Sequence, residues 1–67
     1  MTIYKVVTIY SNMGERQEFH NIYSDYDKAL FEYQSYKQDA NTMTCEVYKM
    51  EEENGKFYVV EIVASWS

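Results

Sequence analysis

The run from Thr2 to Tyr10 is almost unbroken in β-branched and aromatic residues, which predicts a strand. Both of its alternating faces are apolar. Ile3, Val7 and Ile9 share one face with Lys5, and Tyr4, Val6, Thr8 and Tyr10 share the other. Ser11-Asn12-Met13-Gly14 supplies turn chemistry, with positive φ expected at Asn12 and Gly14. Glu15 to Tyr23 then reads as a second, more polar strand that closes a hairpin.

The period changes after Tyr23. Tyr26, Ala29, Leu30, Tyr33 and Tyr36 recur at helical spacing. Ser24 is the expected N-cap, Asp25 and Asp27 suit the positive end of the helix dipole, and Lys37 suits the other end. Asp39-Ala40-Asn41 is expected to end the helix. Thr42 to Glu51 predicts a third strand, Asn54-Gly55 a tight hairpin turn, and Lys56 to Trp66 a fourth strand. The sequence thus predicts an α+β domain spanning 1–67, with element order β-β-α-β-β and a four-stranded, mainly antiparallel sheet carrying one helix.

Charge distribution suggests the strand order. The second strand carries Glu15, Arg16 and Glu18, and the third carries Glu46, Lys49 and Glu51. Charge protects open sheet edges, whereas a strand apolar on both faces reads as central. The expected edges are therefore strands two and three, in the order 2-1-4-3. One helix covers one face, expected here to hold Tyr4, Val6, Tyr10, Val60, Ile62 and Trp66. The other face is expected to present Ile3, Lys5, Val7 and Ile9 with Phe57, Val59, Glu61 and Val63, and Lys5 is expected to pair with Glu61 across strands. Such a patch exceeds what a monomer ordinarily leaves open, so these eight residues form the candidate protein interface of a homodimer or a partner complex.

Composition narrows the chemistry. Eleven acidic residues against six Lys and Arg give a net charge of −5, which opposes phosphate backbones and argues against direct nucleic-acid binding. Asp25, Asp27, Glu32, Asp39, Glu51, Glu52 and Glu53 form a candidate acidic surface, and imitation of nucleic acid is one reading of it. Eight tyrosines and no proline argue for an ordered chain with interface-forming side chains. A tyrosine-rich cleft for a small ligand, between helix and sheet or at a dimer interface, is a further reading. Cys45 is the only cysteine, so no internal disulfide is available, and a reducing, cytoplasmic setting is expected. No leader or membrane-spanning stretch is read, and no membrane partner is expected.

Catalytic signals are sparse. His20 lacks a nucleophile motif, Cys45 lies beside Glu46, and Glu51-Glu52-Glu53-Asn54 does not match a calcium loop. The two glycines sit in turns, not in a phosphate loop. No enzyme, cofactor or metal is therefore expected. Short length, acidity, absence of proline and absence of a catalytic motif together resemble, in style and not in specific residues, the small accessory proteins of bacteriophages and other mobile elements. That resemblance implies an interaction role, often modulation of a host protein.

Overall fold

The computed structural model describes all residues from Met1 to Ser67. The elements are β1 (Thr2–Asn12), β2 (Glu15–Tyr23), α1 (Tyr26–Lys37), β3 (Thr42–Glu53) and β4 (Lys56–Trp66). All four strands join one open antiparallel sheet in the order β2-β1-β3-β4. The α+β class and the element order are as the sequence predicts. The strand order is not: β3 is central and β4 is the edge.

Chain direction explains why β3 and not β4 adjoins β1. At Tyr23 the chain lies beside Tyr4, near the start of β1. The twelve-residue helix then carries it back ~18 Å along the sheet, at 1.5 Å per residue. It arrives beside Tyr10, where Ser11 N–H donates to Asn41 O at 2.9 Å and Tyr10 pairs with Thr42. β3 therefore runs antiparallel to β1. A hairpin partner of β3 runs parallel to β1, so the order 2-1-4-3 would have required a parallel β1–β4 pair in place of an antiparallel β1–β3 pair, the slightly weaker pairing of the two. The charges on β3 do not mark an edge. Glu46 lies on the sheet face away from the helix, opposite Val7, while Lys49 and Glu51 lie opposite Tyr4 and Thr2 near the start of β1.

The helix N-cap is Asp25, one residue beyond the expected Ser24. The Asp25 carboxylate accepts from the backbone N–H of Asp27 at 2.8 Å and of Lys28 at 3.4 Å. A charged acceptor at the positive helix end is stronger than a hydroxyl, which favours the later start. Under α1, rows of directly opposed residues run Tyr23–Tyr4–Lys49–Glu61, Asn21–Val6–Val47–Ala64 and Phe19–Thr8–Cys45–Trp66. Val6, Val47 and Cys45 are fully buried against Ala29 and Tyr33. Aromatic rings close the margins: Tyr26 meets Tyr4 edge-on at 5.3 Å, and Phe19, Tyr10 and Tyr36 form a three-ring cluster.

Both hairpins turn on two residues with positive φ, the pattern of a type I′ turn. Asn54 (φ 55°) and Gly55 (φ 79°) suit it. In the first hairpin the positions are Met13 (φ 53°) and Gly14 (φ 83°), so the left-handed residue is Met13 and not the expected Asn12. A methionine side chain gains nothing there, since Met13 is almost fully exposed. Met13→Asn is expected to raise stability by about 0.5–1 kcal/mol, because asparagine tolerates the left-handed region that a methionine enters at a cost. A urea midpoint that fails to rise would show that the backbone at Met13 is unstrained.

Candidate interaction surface

The face opposite α1 has no second layer. Its rows of direct partners run Ile22–Lys5–Tyr48–Ile62 and Ile3–Met50–Val59, with His20–Val7–Glu46–Ser65 and Glu18–Ile9–Thr44 beyond them. Of the residues expected on this face, Ile3, Lys5, Val7, Ile9, Phe57 and Val59 lie there together. Ile3 is already buried by its neighbours, and Val7 and Ile9 are half-buried.

Glu61 and Val63 do not join them. β4 carries two one-residue bulges, one between the Val47–Ala64 and Tyr48–Ile62 pairs and one between the Lys49–Glu61 and Met50–Val59 pairs. Each slip reverses which residues face which side. Val63 therefore packs with Ala64 against the helix-side core, Glu61 lies opposite Lys49 on the helix side, and Ile62 takes a place on the open face. The expected Lys5–Glu61 pair does not exist, because the two lie on opposite faces with β3 between their strands. Val60 and Ile62, expected beneath the helix, are exposed.

The free edge along β4 is the feature that sequence reasoning missed, because the residue pattern predicts β4 at the centre of the sheet. Phe57, Tyr58, Val59, Val60 and Ile62 are 37% to 57% exposed, and only Lys56 and Glu61 carry charge on the strand. Outside the sheet nothing pairs with its free edge. The element order carries the signal for it: a helix that returns the chain along β1 makes β3 antiparallel to β1 and leaves β4 at the edge. At the far edge, β2 shows the protected pattern instead, with Glu15, Arg16, Glu18 and His20 exposed along it. Ile22 is the one large apolar residue exposed there.

The candidate acidic residues are divided. Asp25 caps the helix and Asp27 sits in its first turn. Glu32 accepts from Tyr23 OH at 2.7 Å and from Asn21 Nδ2 at 2.9 Å, tying the helix to β2. Asp39 accepts from the Asn41 backbone N–H at 2.9 Å, and Glu51 accepts from the Thr2 hydroxyl. Glu52 and Glu53 are exposed at the β3–β4 tip. Several of these carboxylates are thus committed to bonds within the chain.

No grouping of titratable side chains resembles a reaction centre. His20 Nε2 lies 3.1 Å from Glu18 Oε2 on the exposed β2 edge. Cys45 is fully buried with Thr8 Oγ1 3.3 Å from its sulfur. Burial pushes its thiol pKa up, the Thr8 hydrogen bond opposes that rise, and Glu32 and Glu46 reinforce it. A thiol held protonated in this way is a poor nucleophile. Rings fill the space between helix and sheet, and no ligand-sized cavity opens in the chain. No three His, Cys, Asp or Glu side chains converge where they could hold a metal ion. No helix is long and apolar enough to cross a membrane.

No family model, no curated protein and no solved structure matches the chain.

Proposed function

We propose that this protein is a non-enzymatic interaction module whose working surface is the open sheet face, continued onto the exposed half of β4. The observation that supports the reading is the absence of any layer over the row Ile22–Lys5–Tyr48–Ile62 and its neighbour Ile3–Met50–Val59. Apolar sheet faces need a cover, and α1 supplies one for a single face. The fitting partner is a second copy of the chain or a host protein, as for a small accessory protein that modulates a larger one. Where the partner is a host protein, the net charge of −5 favours one with a basic rim around an apolar centre.

The test combines sedimentation of the purified chain with affinity capture from cells of its source, each done with wild type and Phe57→Glu. Phe57 is exposed, so the variant is expected to fold. Wild type is expected to self-associate or to capture a defined protein, and Phe57→Glu is expected to weaken that association at least about tenfold by placing a charge in the apolar contact. A wild-type chain that stays monomeric and captures nothing that Phe57→Glu loses would sink the proposal.

A further inference from the structure

We infer that the partner at the β4 edge is a second copy of this chain, paired antiparallel through β4 so that two sheets join into one of eight strands. The inference rests on the interaction-module reading above and specifies its partner.

The two edges of the sheet differ in a way that selects this arrangement. β2 is guarded by charges, whereas β4 offers unpaired backbone beside Phe57, Tyr58, Val59 and Val60. Pairing β4 of one copy with β2 of the next would build an open filament. Pairing β4 with β4 about a two-fold axis closes after two copies and uses both apolar edges.

Charge fixes the register. Lys56 lies opposite Glu53 of β3, and Glu61 lies opposite Lys49. The bulge between Glu61 and Val59 puts Lys56 and Glu61 on the same side of the sheet, the helix side, although their numbers differ by an odd count. With Val60 left as the unpaired bulge residue on this edge as it is on the β3 side, a two-fold axis through Tyr58 sets Lys56 opposite Glu61 of the second copy, and Glu61 opposite its Lys56. The helix-side row across four strands would read Lys49, Glu61, Lys56, Glu53, alternating in sign at every step, and the symmetric row would read the same. On the open face the same register sets Phe57 opposite Val59 of the second copy. Opposite charges and apolar pairs directly across strands are the stabilising combinations in a sheet. The open faces of both copies would lie side by side, doubling the apolar surface available to a further partner.

Lys56 and Glu61 are both exposed, so reversing either charge leaves the fold intact. The test is sedimentation equilibrium from about 1 µM to about 1 mM chain, a range that brackets ordinary affinities. Wild type is expected to form dimers. Lys56→Glu alone and Glu61→Lys alone each place like charges opposite one another twice per dimer, and each is expected to weaken self-association about tenfold or more. An equimolar mixture of the two variants restores both pairs and is expected to recover dimerisation as a heterodimer. A wild-type monomer across the whole range overturns the inference, while the interaction-module reading survives if Phe57→Glu still abolishes capture of another protein. Dimerisation indifferent to either single reversal, or single variants that do not complement each other in the mixture, also overturns it.

Discussion

Tyr33→Ala is expected to leave the chain largely unfolded at room temperature. The Tyr33 ring is the largest side chain the helix contributes to the core, where it packs with Val6, Ala29, Cys45 and Val47. Its outer face lies under the Lys37 ammonium, 5.8 Å from the ring centre. Truncating a buried aromatic ring to alanine costs about 3–5 kcal/mol, through lost transfer energy and the cavity left behind. The whole chain has only about 3–10 kcal/mol to lose, at ~0.05–0.15 kcal/mol per residue. Only eight of its residues are buried, which sets the chain toward the low end of that range, where the loss takes most of its stability. Tyr33→Phe keeps the ring and is expected to fold. Circular dichroism and a thermal melt decide the matter: a cooperative Tyr33→Ala melt near that of wild type would mean that α1 is not what holds this face of the sheet.

Alkaline unfolding is the second large effect. Four groups titrate upward on folding, all in the same direction. The Tyr23 phenol is held protonated by its hydrogen bond to Glu32, then by burial and by the negative charge of that carboxylate. Burial comes first for Tyr36, with Glu32 adding to it, and first for Tyr48, with Glu46 adding to it. Burial also leads for Cys45. A pKa raised in the folded state means that the unfolded chain gives up its proton first. Each contribution is therefore complete below the unfolded value, 9.0 for the thiol and 10.0 for the phenols, and is lost as pH rises through the higher folded value. Urea midpoints are expected to stay flat with respect to these four groups to about pH 9 and to fall steeply above about pH 10. Tyr23→Phe and Cys45→Ala should each make that fall shallower. A midpoint unchanged up to about pH 11.5 would contradict the buried, carboxylate-flanked placement of these groups.

Much of the architecture is written in local pattern. The two strand-turn-strand units, the helix between them and the polar character of β2 follow from side-chain period and turn chemistry, which act over a few residues. The helical recurrence of Ala29 and Tyr33 predicts the face that becomes the core. Composition alone places an excess of apolar residues on the strands for one helix to cover, and the open face bears Phe57, Val59 and Ile62 uncovered.

Strand order and the facing of β4 belong to the tertiary structure. Charge on β3 suggested an edge, yet the direction in which α1 returns the chain makes β3 the antiparallel neighbour of β1 and sends β4 outward. The bulges on β4 then decide that Val63 turns inward, that Glu61 faces Lys49, and that Ile62 joins the open face. A one-residue slip changes no local propensity, so a single strand read by itself carries no mark of it; only its pairing with β3 does. The open-face residues legible in the sequence are thus those of β1 up to Ile9, with Phe57 and Val59, on stretches that pair without an extra residue. The exposed edge formed by Lys56 to Ile62 came into view only once the sheet was assembled, because an edge is a property of which strand lacks a neighbour.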